Sequence, residues 1–396
     1  MIFHYLKIAF RNLCKHKTQN IISIIGLAVG LLCFCVCIYC SRFVESTDHC
    51  FANHDRIAEL NLYDGKADRY FSGSPVPLAE DLRTWSLGET EAISSVTYPR
   101  ERPYYVELSP EKTLPYELET IEIDTCYNKI FTPEMVAGHW KMASQSLNSV
   151  ILSQSMAIKI FGNAESAIGK HMTLMRRLNT SPESTPKTGG IVYTIQAVMK
   201  DIPLNNSLDF MQNIDMLTVN DSEGLLQSPK RYNMTGANTY VLLSPQTTCT
   251  DLEKQFSKRD YTYTLYGEAY TVTASSMGAR LKKQGASYLG LVTGTVGTLI
   301  LLVGLINFFH FLIGSFFNRT KEYSIMKMIG CNWKQLFCLL FTQSLIVISI
   351  SSILVLSGIE LLGNHMNFSL PGFAMTFTSE TLLIHALQYI VLLIIL

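Results

Sequence analysis

Two long stretches of this 396-residue chain lack charge altogether: 284–318 and 335–359 contain no Asp, Glu, Lys or Arg. Ionised groups are costly in hydrocarbon, and roughly 20 apolar residues cross a bilayer as a helix, so these runs exclude a wholly soluble protein. Acid is also missing from the amino end, where Lys7, Arg11, Lys15 and Lys17 precede the first carboxylate, Glu45. A basic surplus beside a span marks the cytoplasmic side. Nucleotide chemistry is missing as well. The nearest approach to a phosphate-binding loop, Gly162 to His171, has Ala164 where its first glycine belongs and His171 in place of the hydroxyl residue. No G-x-S-x-G or H-E-x-x-H occurs. The sequence therefore predicts a chain that is not an enzyme and binds no cofactor itself.

The ten cysteines form no framework. Seven lie in or beside apolar or cytoplasmic segments; Cys33, Cys37 and Cys40 make a helical stripe with no acid or histidine among them. Cys50, Cys126 and Cys249 lie in the polar middle region, where one bridge is open but their spacing names no pair. His49, Cys50 and His54 offer metal-ligand types without a second cluster, and no metal site is expected.

The zero net charge hides a segregation: residues 43–285 carry 23 Lys plus Arg against 29 Asp plus Glu. The charges predict an α-helical membrane protein with four transmembrane helices and a large α+β extracytoplasmic domain inserted between the first and second. Residues 1–19 read as an amphipathic helix at the cytoplasmic face, 20–42 as the first span, 43–285 as the outer domain and 286–317 as the second span. Residues 318–335 then form a cytoplasmic segment, 336–357 the third span, 358–381 an outer turn and 382–396 a fourth span too short to cross, which suggests a piece of a longer chain.

Within the outer domain, alternation and β-prone runs predict strands at 57–62, 118–123, 191–199 and 240–243. Helical spacing is present at 78–85 and 154–161, and residues 179–190 read as a surface loop. The first span carries Ser23, Gly26 and Gly30 on one stripe, a small-residue pattern that admits a second helix closely; Gly290 and Gly294 serve either packing or flexibility. The uncharged run at 284–318 would reach about 50 Å as one helix, more than the roughly 30 Å of a bilayer core, although a loop over 284–295 is the alternative. His310, toward its inner end, reads as a neutral ring bonded to a neighbouring helix.

The segment NRTKEYSIMKMIGCNWKQLF, residues 318–337, sets Arg319, Lys321, Lys327 and Lys334 against a single acid, Glu322. Ile325, Met328 and Ile329 share one helical face, Gly330 is placed to end that helix, and Asn332 with Gln335 has capping-box spacing for the next. By physics alone this is either a docking element or an idle basic loop.

Four stretches together resemble the MacB/FtsX-type ABC transporter permeases, in the form with a MacB-like periplasmic core domain common in Bacteroidetes. They are YLKIAFRNLCKHKTQNIISIIGLAVGL at the amino end, VILSQSMAIKIFGNAESAIGKHM at 150–172, YTIQAVMKDIPLNNSLDF at 193–210, and RTKEYSIMKMIGCNWKQLF at 319–337. The last is similar to R-x-K/R-E-I-x-I-x-K-x-x-G at Arg319, Lys321, Glu322, Ile325, Lys327 and Gly330. The resemblance implies a permease in the bacterial inner membrane with residues 43–285 in the periplasm. It implies an ABC ATPase partner carrying ATP and magnesium, docked on Arg319, Lys321, Glu322, Ile325, Lys327, Met328, Ile329 and Gly330. It also implies a second permease copy, or a second half of the same polypeptide, and a periplasmic adaptor or hydrolase; no nucleic acid is expected. The output would be mechanical movement supporting export or extraction or, as the alternative, FtsX-like regulation of a cell-wall hydrolase or sensor. One departure stands out: Gln343 occupies a place in the third span where the family often has Glu.

Overall fold

The computed structural model describes residues 7–8, 11, 15, 17–71, 73–85, 90–109, 112–174, 190–209, 212–222, 224–227, 235–265, 267–279, 282, 285, 287–365, 367–370, 373–376, 383, 386–387 and 390. Most of the leading helix at 1–19, the loop at 179–190 and the fourth span at 382–396 lies outside them. The chain divides into two compact units, residues 1–46 with 285–396 and residues 47–284.

The first unit is helical. Helix α1 is Lys17–Glu45, α7 is Ser287–Phe317, α8 is Thr320–Met328 and α9 is Trp333–His365; α2 to α6 belong to the other unit. Among the described residues, three helices are long and apolar enough to cross a membrane: Asn20–Glu45, Tyr288–Phe317 and Trp333–Leu361. The loop alternative over 284–295 fails, because α7 is helical from Ser287 onward. The outer turn expected from residue 358 does not begin there either. Helix α9 runs on to His365, carrying Glu360 exposed on its side, with Gly358 seated against Leu32 of α1 so that the glycine serves packing rather than a break. A short hairpin, Asn367–Leu370 with Phe373–Thr376, follows.

Helices α1 and α7 pack antiparallel along a seam of small residues. Gly30 faces Gly304 so closely that a Cβ on Gly30 would lie 3.4 Å from the Gly304 Cα, and a Cβ on Gly26 would strike the Asn307 amide. Gly294 sits against Ser41 and Gly290 against Val44, while Ser23 is buried one turn before Gly26. With no hydrophobic drive between helices in lipid, this close backbone approach is what supplies dispersion contact. His310 is exposed, not bonded to a neighbouring helix as its sequence position suggests.

The second unit is an α+β domain built on fourteen strands among the described residues. The strand path is β11-β8-β10-β9-β5-β6-β4-β12-β1-β14-β13, and an added pairing of β11 with β6 closes six of them into a ring. The ring strands are β5 (Arg100–Ser109), β6 (Lys112–Ile123), β8 (Ser149–Ser153), β9 (His171–Leu174), β10 (Ile191–Met199) and β11 (Met216–Val219). Most pairings are antiparallel; β8 with β10 and β6 with β11 are parallel. The open half adds β4 (Thr90–Thr97), β12 (Thr235–Leu243), β1 (Ile57–Asp64), β14 (Glu268–Ser276) and β13 (Thr262–Leu265).

Alternation explains the layers. On β14, Tyr270, Val272 and Ala274 point into a core shared with Leu60, Leu62, Val241 and two covering helices, α2 (Leu78–Arg83) and α6 (Cys249–Lys258). Thr248 and Asp251 form a capping box at the start of α6. A second core beneath the ring gathers Tyr104, Val106, Leu152, Tyr193 and Met216 with α5 (Gln154–Phe161), whose start is capped by the Ser153 hydroxyl. The intervening helices α3 (Tyr127–Phe131) and α4 (Trp140–Gln145) support a third core around Ile121 and Tyr240.

Among the described residues of this unit, Asp48, Glu59, Asp64, Glu122, Asp209 and Asp221 are buried, and two of these carboxylates pin turns. Asp48 accepts from the Ser207 amide at 2.7 Å and its hydroxyl at 2.6 Å, tying the start of the unit to the turn after β10. Glu122, on β6, accepts from the Leu225 and Leu226 amides at 2.6 and 2.9 Å, and a Cβ at Gly224 would collide with its carboxylate. Burial pushes the Glu122 carboxyl up to about 7, with the Asp221 charge adding and the two amides opposing. Its ordinary value is 4.5, so between those limits the folded chain holds a proton that the unfolded chain has released. Stability must fall as pH rises through that window, by on the order of 3 kcal/mol, and level off above it. Thermal unfolding of the intact chain in detergent at pH 5 and pH 8 reads this, and Glu122→Gln is expected to remove that part of the slope; an unchanged slope in the variant refutes the assignment.

Candidate functional site

Between α7 and α9 the chain makes the short helix α8 and two sharp joints. At the first joint Arg319, 2% exposed, donates through Nη1 to Gln343 Oε1 at 3.1 Å, and Gln343 Nε2 donates to Ser315 Oγ at 3.1 Å. The chain of bonds runs from the end of α7 to α9 and holds the start of α8 between them. Tyr323 packs beneath it, its ring 5.6 Å from that of Phe316. Gln343 thus supplies an acceptor where a carboxylate would also supply a charge.

At the second joint Gly330 has φ +97°, its amide donates to the Lys327 carbonyl at 3.1 Å, and the Cys331 amide donates to Met326 at 3.0 Å. These are the two bonds of a Schellman stop, which needs a residue without a Cβ at that left-handed position. Helix α9 then starts with half of the expected capping box: the Asn332 amide donates to Gln335 Oε1 at 3.0 Å. Lys327 lies with its ammonium 4.4 Å from the centre of the Trp333 ring.

The stop leaves an apolar face uncovered. Ile325, Met328 and Ile329 are 52%, 79% and 82% exposed, and Trp333 and Phe337 in the first turns of α9 are exposed as well. Lys321 and Lys327 are exposed beside it, whereas Glu322 pairs with Lys15 at 2.9 Å. Arg319 stands apart from the other residues singled out by sequence: it is buried and shapes the segment instead of facing outward. Trp333 and Phe337 were not anticipated as exposed, although their place just after the Gly330 stop could have indicated it. The remaining sequence candidates do not assemble. The His49 and His54 rings lie 4.5 Å apart, tilted by 39°, and among the described residues no group of three or more potential metal ligands converges. Cys50, Cys126 and Cys249 are free thiols.

Residues 294–396 match the FtsX-like permease C-terminal family. The match takes in α8, all of α9 and most of α7. Comparison with curated proteins finds no match. Among solved structures, a permease-protein domain from Porphyromonas gingivalis is 21% identical with TM-score 0.43, covering 57% of this chain and 93% of that one. The periplasmic region of MacB from Actinobacillus actinomycetemcomitans is 13% identical with TM-score 0.39, covering 61% and 96%. The extracellular domain of the noncanonic ABC-type transporter YknZ from Gram-positive bacteria is 11% identical with TM-score 0.34, covering 55% and 99%. The chain is therefore FtsX-like over residues 294–396.

Replacing Gln343 by Leu in the FtsX-like segment takes a hydrogen-bond acceptor from a buried guanidinium. The expected cost is about 1–3 kcal/mol, read as a lower unfolding temperature of the detergent-solubilised chain. Gln343→Glu keeps the acceptor and is expected to fold at least as well; equal unfolding temperatures for the Leu variant and the parent would rule out the bond as a structural link.

Proposed function

We propose that this chain is the permease subunit of an ABC transporter, and that α8 is where a separate ATPase docks. The observation that carries this reading is the exposed face of Ile325, Met328 and Ile329, followed in the chain by exposed Trp333 and Phe337 and set between two span-length helices within the FtsX-like segment. Large apolar side chains left uncovered on a polar, basic segment are what a groove on a partner would bury. Lys321 and Lys327 flank the face and would orient it by charge, while the buried Arg319 couples its position to α7 and α9.

Sidedness follows from the charges: the acid-poor amino end and the basic 318–337 segment lie in the cytoplasm, and residues 47–284 lie outside it. ATP and magnesium belong to the partner. Hydrolysis there displaces α8, and α7, about 46 Å long at 1.5 Å per residue over its 31 residues, carries the displacement along one unbroken helix toward the outer domain. The output is movement of that domain in support of export or extraction. A second copy or second half of the permease completes the assembly.

Ile329→Glu places a charge in the middle of the docking face without touching the spans. Membrane insertion should be normal, and stimulation of ATP hydrolysis in a reconstituted complex with the cognate ATPase should disappear. Full stimulation in the variant would refute α8 as the docking element.

A further inference from the structure

The outer unit contains a cavity of about 300 Å³ that the coupling reading does not use. It lies at the carboxyl ends of the parallel neighbours β6 and β11, whose last residues, Ile123 and Val219, are register partners. The residues that follow each strand, Asp124 and Asp221 among them, line it, and α2 closes the other side with Glu80 and Arg83. In open α/β sheets the carboxyl ends of parallel strands are where loops diverge and leave room for a ligand, and this volume is at the lower end of small-molecule pockets.

Its chemistry is that of a cation site. Four carboxylates, Glu80, Glu122, Asp124 and Asp221, line it with one guanidinium, Arg83. Two of the acids are held rigidly: Glu122 by the Leu225 and Leu226 amides, and Asp124 by the Ser94 hydroxyl at 2.7 Å, the Ser95 and Cys126 amides at 2.9 Å and an ion pair with Arg83. Preorganised acceptors lose little freedom when a donor arrives.

Ser95 points to the occupant independently. Strand β4 pairs with β6 so that Val96 lies opposite Ile123, which puts the Ser95 side chain on the same sheet face as Glu122 and α2. Ser95 lines the cavity, is 4% exposed, and its hydroxyl has no hydrogen-bond partner. A buried hydroxyl left unbonded is costly, and a ligand N–H or N⁺–H would relieve it. A bare metal ion fits poorly: among the described residues no three ligating groups converge, and Glu122 and Asp124 already accept from protein donors. Val76 and Leu226 give the wall an apolar part suited to methylenes.

We infer that this cavity binds an organic cation, a protonated amine or guanidinium on a short aliphatic stem, supplied either as a free polyamine or as a lysine or arginine side chain of a peptide. The test uses the full chain in nanodiscs, titrated calorimetrically with spermidine and, separately, with a Gly-Lys-Gly amide at about 0.15 M salt, where long-range attraction to an acidic surface is screened. Saturable binding of either probe is expected, and the tighter one identifies the source. Glu80→Lys, at an exposed helix position, should weaken binding by about tenfold or more, the equivalent of about 1.4 kcal/mol. Ser95→Ala should weaken binding while leaving the unfolding temperature unchanged or raised, because the hydroxyl it deletes has no internal partner. Absence of saturable binding by both probes to protein with native unfolding, or undiminished binding in both variants, overturns the inference.

Discussion

The helical unit depends on where it can put one charge. A guanidinium cannot be neutralised at ordinary pH and is expensive to bury, so the position of Arg319 is set by the few groups able to bond it. Gln343 on α9 and, through it, Ser315 on α7 are such groups. Because this polar link spans three helices, the direction in which α8 leaves α7 is not free. The outward aim of Ile325, Met328 and Ile329 follows from an inward bond at the other end of the same short helix, whose N-cap is Arg319 and whose C-cap is Ile329. A neutral partner in this place keeps the geometry of a buried ion pair without its full Coulombic grip, which lowers the electrostatic work of rearranging the joint.

Much of this was legible in the sequence, for reasons that can be named. The spans stand out because charge is forbidden there, and the strand expected at 191–199 is β10 residue for residue, since its inward positions alternate with less buried ones through most of its length. The helix expected at 154–161 is equally sharp, because Ser153 caps one end and Gly162, at φ +85°, ends the other. Strands such as β4 and β8 were not legible. Their burial comes from partners distant in sequence, and a run like TEAISSVT has little hydrophobic period of its own until β6 and β12 lie on either side of it.

The candidate site divides along the same line. Its apolar face and its Gly330 stop are local facts, readable from spacing within one helix. The burial of Arg319 is not local: its partner lies 24 residues away on another helix, and the basic character of the segment suggested exposure. The half-made capping box at Asn332 is a smaller case, in which the Gln335 side chain returns to the backbone as expected while the reciprocal side-chain bond is replaced by a backbone bond from the Gln335 amide to the Asn332 carbonyl at 2.9 Å.

The two units solve the burial of polar groups in different ways. Among the described helices, side-chain links between segments include the arginine network, the Lys15–Glu322 pair and the Ser351 hydroxyl donated to the Ile24 carbonyl, while hydroxyls such as those of Thr293 and Ser352 return to their own helix carbonyls. Small residues then let α1 and α7 meet along a smooth seam, and a smooth seam with few directional bonds resists sliding weakly. The α+β unit fixes its turns with buried directional bonds instead, as Asp48 does to Ser207 and Glu122 to the 224–226 loop. Breaking any one of those leaves a desolvated acceptor behind, so its loops hold their shape until a ligand or partner supplies replacements.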